Sequence, residues 1–98
     1  MKKIIEARRI RNLEYLANKL FNMSCEIRDT ETESARIFMA VSWGLNRYLE
    51  RVEFMDLCTR HLYMLGVDSK NMRTYQNYGY DIVLSSINKL DKKIQNMS

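Results

Sequence analysis

The chain contains no proline and only three glycines in 98 residues. Average usage of ~5% would give about five prolines, so the residues that punctuate hairpins, sandwiches and barrels are largely missing. Folds rich in tight turns are disfavoured and long helices favoured. Cysteine is equally scarce. Cys25 and Cys58 are the whole supply, too few for the disulfide framework of a small secreted domain and in keeping with reduced thiols. Long apolar runs are missing as well: the longest stretch without a charged residue is 37–46, about half of the ~20 residues that a membrane-spanning helix needs. Lys2 and Lys3 precede Ile4 and Ile5, but Glu6, Arg8 and Arg9 follow at once and leave no room for the apolar stretch of a secretory signal. The expected location is therefore the cytoplasm. Gly44, Gly66 and Gly79 are too far apart for a phosphate-binding loop.

Hydrophobic residues make up 46% of the chain and charged residues 29%, the balance of a globular protein rather than a disordered one. A chain this short supports one core, and with no repeat or linker to divide it, residues 1–98 are expected to form a single helical domain.

Hydrophobic spacing supplies the elements. Leu13, Leu16, Leu20, Met23 and Ile27 recur at steps of three and four and predict a helix over about 3–27. Thr30 followed by Glu33 reads as a capping box for a second helix beginning near Glu31. Its apolar set is Phe38, Val41, Leu45, Tyr48, Leu49 and Val52. The next set, Phe54, Met55, Cys58, Leu62 and Leu65, would be rotated by roughly 120° if one helix ran through both. A break at 50–53 is therefore expected, with one long helix over 31–65 as the alternative. Gly66 and Val67 fit the end of a Schellman cap, and Asp68 or Ser69 suits the start of a polar segment over 70–77. Gly79 then suggests a left-handed residue or kink before a final helix carrying Val83, Ile87, Leu90 and Ile94. The expected fold is all-α, a compact bundle of four helices, or five if 70–77 stands apart. Near-heptad spacing in the two terminal helices suits antiparallel packing, either with each other or with a second copy in a homodimer.

Chemistry is thinly provided for. Cys58 and His61 share a helix face, yet Cys58 belongs to an apolar stripe, where burial would blunt its thiol. Adding Cys25 gives three metal ligands, short of the four closely spaced ligands of a structural zinc. Asp29, Glu31 and Glu33 suit the start of a helix, where negative charge complements the dipole. No catalytic, metal or cofactor site is expected, and the chain is read as non-enzymatic.

Aromatic groups point to binding. Trp43 and Met39 project away from the apolar face of their helix. Arg73, Tyr75, Tyr78 and Tyr80 interleave aromatic and basic groups where core periodicity is weak, and Tyr, Trp and Arg dominate interface hot spots. The expected function is that of a small interaction protein, a regulator or inhibitor that binds another protein through Trp43, Met39, Arg73, Tyr75, Tyr78 and Tyr80. Its size and eight asparagines are analogous to those of small phage or mobile-element proteins. The formal net charge is +4, and Lys2, Lys3, Arg8, Arg9, Arg11 and Lys19 concentrate positive charge at the N-terminus. The alternative is therefore a nucleic-acid-binding transcriptional regulator that uses this basic helix to neutralise phosphates.

Overall fold

The computed structural model describes the backbone of residues 2–97 and the side chains of residues 6–96. Four helices follow one another, α1 (Lys2–Ile27), α2 (Thr32–Tyr48), α3 (Val52–Met64) and α4 (Ser69–Met97), with no strand among the described residues. The fold is all-α, as the missing prolines and the helical periodicity imply.

The same device stops α2 and α3. At the end of α3 the Val67 N–H donates to the Leu62 carbonyl at 3.0 Å and the Gly66 N–H to the Tyr63 carbonyl at 3.0 Å, while Gly66 takes a φ of 91°. This is the expected Schellman cap, and Val67 and Leu62 are both buried in the core beside it. At the end of α2 the Arg51 N–H donates to the Asn46 carbonyl at 2.9 Å and the Glu50 N–H to the Arg47 carbonyl at 3.1 Å. Here the left-handed position is filled by Glu50, with a φ of 58°, at a steric cost of about 1–2 kcal/mol for an L-residue. The expected break between the second and third helices is thus present at residues 49–51, made without glycine or proline.

The turn between α1 and α2 departs from expectation. Thr30 is not an N-cap. Its hydroxyl donates backward to the Ile27 carbonyl at 3.4 Å, and the Thr32 hydroxyl to the Arg28 carbonyl at 2.9 Å. Glu31 occupies the N-cap of α2 without a side-chain cap bond. The short turn lets both hydroxyls satisfy carbonyls at the end of α1. Asp68, in contrast, caps α4, accepting from the Asn71 N–H at 2.9 Å.

No kink forms at Gly79, and α4 runs unbroken from Ser69 to Met97. The glycine serves close approach instead of a turn. A Cβ on Gly79 would lie 2.0 Å from the Ala40 carbonyl oxygen, and one on Gly44 would lie 2.7 Å from the Gly79 carbonyl carbon. α2 and α4 therefore touch backbone to backbone.

This contact makes α2 the central element. The Ser24 hydroxyl donates to the Ala35 carbonyl at 2.7 Å, and the Ser42 hydroxyl to the Ala17 carbonyl at 2.8 Å, seating α1 on α2. On α4, Met72 joins the cluster around Ala35 and Met39, while Val83 and Ile87 join the one around Ala17 and Leu45. Paired positions rise together along the two helices, so α2 and α4 advance in the same sense rather than in the antiparallel sense of a simple up-and-down bundle. Surrounded by three helices, α2 is buried on nearly every side from Met39 to Asn46, apart from half-buried Val41. Direct pairing of the terminal helices does not organise the core; each packs on α2, and an Arg9–Asp91 ion pair links them.

The same centrality corrects the placement of Met39 and Trp43. Met39 is fully buried and Trp43 is 7% exposed, both in the cluster completed by Cys58, Leu62 and Leu65. They project from the first apolar face because α3 and α4 cover the other sides of the helix. A partner cannot reach them while the fold is closed.

Candidate functional site

With Met39 and Trp43 internal, the remaining aromatic candidates divide by environment. Tyr80 lies half-buried against the core, with the Arg47 guanidinium 4.2 Å from its ring centroid and 5.6 Å from that of Trp43. That stack seals the end of the core. Tyr75 is half-buried, and its hydroxyl donates to both oxygens of Glu33 at 3.0 and 3.1 Å. Burial, followed by the hydrogen bond and negative charge of Glu33, pushes the Tyr75 phenol up from its ordinary value of 10.0, so it remains a donor at neutral pH. Arg36 completes the arrangement: Nη1 donates to Glu33 at 3.1 Å and Nε to the Leu65 carbonyl at 2.8 Å.

These bonds shape a groove between α2 and α4. Ile37, Thr74, Tyr75 and Tyr78 line it with Glu33 at its edge, and its volume is about 210 Å³. Tyr78 is 51% exposed. The groove meets, at Tyr78, a shallow depression along α4 containing Asp81, Ile82 and Lys89. Arg73 is exposed on the same helix. Sequence reading supplied the α4 side of this groove and missed Glu33 and Ile37, which join it only through the register of α2 on α4. The spacing of Glu33 and Ile37, one helical turn apart, was the available signal.

Arg8, Arg11 and Lys19 are exposed on α1. Arg9 differs: its guanidinium is engaged by Asp91. The side chains of Lys2 and Lys3 lie outside the described residues. A continuous basic stripe is thus represented by three exposed cations and one paired one.

Cys58 and His61 do not form a working pair. Cys58 is 1% exposed, with its sulfur 3.5 Å from the Ser42 hydroxyl and accepting from Asn46 Nδ2 at 3.7 Å. Burial pushes its thiol above the ordinary value of 9.0, with the Ser42 and Asn46 contacts opposing in part, and a thiol so placed is a poor nucleophile. His61 instead meets Cys25 of α1, with Sγ 3.8 Å from Nδ1, and the Phe21 ring packs against its imidazole at 4.6 Å, edge to face. Burial, followed by the charge of Arg28, lowers the His61 pKa below 6.5. Among the described residues no three His, Cys, Asp or Glu side chains gather closely enough to hold a metal ion, and no helix is long and apolar enough to cross a membrane.

No known protein family matches the chain, and no curated protein or solved structure resembles it significantly.

Proposed function

We propose that this chain is a non-enzymatic helical interaction protein that regulates or inhibits a protein partner, in the cytoplasm, by receiving part of it in the groove between α2 and α4. The supporting observation is Tyr78. It is a large amphipathic ring left half in solvent, beside Ile37 and a Tyr75 whose hydroxyl is already tied to Glu33. A fixed Tyr75 and a two-torsion Tyr78 lose little conformational entropy on docking, which is why such rings carry interface energy. Glu33, Arg36 and Arg73 offer both signs of charge for orienting a partner.

The exposed ends of the terminal helices support self-association as a further part of the reading. Ile10, Leu90 and Ile94 keep more than two-fifths of their surface in solvent, and a second copy would bury them. The nucleic-acid alternative rests on exposed Arg8, Arg11 and Lys19.

Site-specific photo-crosslinking separates the two readings. A photoreactive residue replacing Tyr78 is expected to capture one discrete protein in cells that produce the chain, and Ile37→Asp should abolish the adduct. Adducts formed only from position 11, and only with nucleic acid, would replace this reading with the alternative.

A further inference from the structure

Cys25 on α1 and His61 on α3 face each other across a cleft of about 200 Å³, with Sγ and Nδ1 3.8 Å apart. Metal–thiolate and metal–imidazole bonds of roughly 2.3 and 2.0 Å enclose an angle near 120° when their far ends are this distance apart. The geometry is that of two donors sharing a three-coordinate ion. Met64 supplies a third donor. It follows His61 by three residues, lines the same cleft, and is 67% exposed, so its thioether is free to swing over the opening.

We propose that Cys25, His61 and Met64 form a binding site for monovalent copper, Cu(I), held between α1 and α3 by one thiolate, one imidazole and one thioether. The donor set selects the ion. Zinc seeks four ligands, and no further Cys, His, Asp or Glu stands close enough to these two to join them. Asp29 lines the cleft, but its carboxylate is almost wholly exposed and lies 3.9 Å from Arg28. Thiolate with thioether is a soft pair that suits Cu(I). Arg28 reinforces the choice, because its charge opposes a divalent ion twice as strongly as a monovalent one. Binding replaces the thiol proton with the metal and releases that proton to solvent, with no change in oxidation state. Cys58 does not compete, since its sulfur is enclosed by Ser42 and Asn46.

The test is an anaerobic titration of the reduced full-length chain with Cu(I) against bicinchoninate, a coloured Cu(I) chelator, with helicity followed by circular dichroism. The expected result is a single Cu(I) per chain, lost in Cys25→Ser and unchanged in Cys58→Ala. His61→Gln and Met64→Leu should each weaken binding by ~10-fold or more. Met64 is exposed, so Met64→Leu keeps the fold and remains decisive even if the histidine variant unfolds. Wild-type affinity in Met64→Leu would reduce the site to an ordinary thiol, and Zn(II) binding tighter than Cu(I) would overturn the assignment of the ion.

Discussion

Replacing Gly79 by alanine tests the packing of α2 on α4 because two physical effects give opposite signs. Helix propensity alone predicts a gain, since alanine is better than glycine by about 0.8–1 kcal/mol in a helix interior. The structure predicts a net loss. The new methyl would lie 2.0 Å from the Ala40 carbonyl oxygen and 2.3 Å from its carbon, and ordinary contact begins at 3.4 Å. Both atoms are backbone and cannot rotate away, so the helices must separate by about 1.4 Å. A radial gap of 0.5–1 Å already forfeits a quarter to a half of a contact's dispersion energy, and Met72, Val83 and Ile87 all pack along this seam. Overpacking costs about 1–3 kcal/mol. With the loosened seam added and the propensity gain subtracted, Gly79→Ala should destabilise the domain by about 2–4 kcal/mol. Urea denaturation followed by circular dichroism would show a lower midpoint at an unchanged slope, and Tm should fall by ~10 °C or more. Asn88→Ala, on the exposed side of the same helix, should instead stabilise by a few tenths of a kcal/mol. A Gly79→Ala protein as stable as the wild type or more so would refute the close crossing.

The two Schellman turns should respond to substitution with opposite signs. Glu50→Gly removes left-handed strain and should raise stability by about 0.5 kcal/mol after the entropy cost of glycine, whereas Gly66→Ala should lower it by about 1–2 kcal/mol; urea midpoints give both signs. His61 has a lowered pKa in the folded chain, so the unfolded chain binds more protons. Its contribution is fully present above pH 6.5 and is lost as pH falls through the folded value. Stability measured from pH 7.5 to 5 should show this loss, and His61→Gln should remove that part of the slope. Asp68→Ala should cost about 1 kcal/mol through loss of the Asn71 cap, read as a lower midpoint in the same assay.

Local signals in the sequence carried most of the fold. The stop at Gly66 was legible because glycine and a following valine state the cap chemically. The stop at Glu50 was legible only through the rotation between successive apolar stripes, since no residue type announces a glutamate in the left-handed region. Gly79 misled because glycine serving a turn and glycine serving a close approach look alike until the opposing helix is placed. Ala40 and Gly44, four residues apart on α2, held the missing half of that contact. Thr30 and Glu33 matched a capping box in spacing, but the turn left Thr30 facing backward and gave Glu33 to Tyr75 and Arg36.

The candidate site was half legible for a related reason. Periodicity assigns one buried face to each helix, and α2 has neighbours on three sides. Met39 and Trp43 therefore looked surplus while being core, and Ile37 went unnoticed as a wall of the groove. Spacing within α3 pointed to Cys58 as the partner of His61. Register between α1 and α3 determines that it is Cys25.

The most direct measurement of the central claim is a binding titration of the partner captured at position 78 against wild-type, Tyr78→Ala and Arg11→Glu chains, with helicity checked for each. Docking in the groove between α2 and α4 predicts that Tyr78→Ala weakens binding by about 2 kcal/mol, roughly 30-fold. Arg11→Glu should change mainly the association rate and salt dependence. Undiminished affinity in Tyr78→Ala, with binding lost in Arg11→Glu, would contradict the groove and assign recognition to the basic face of α1.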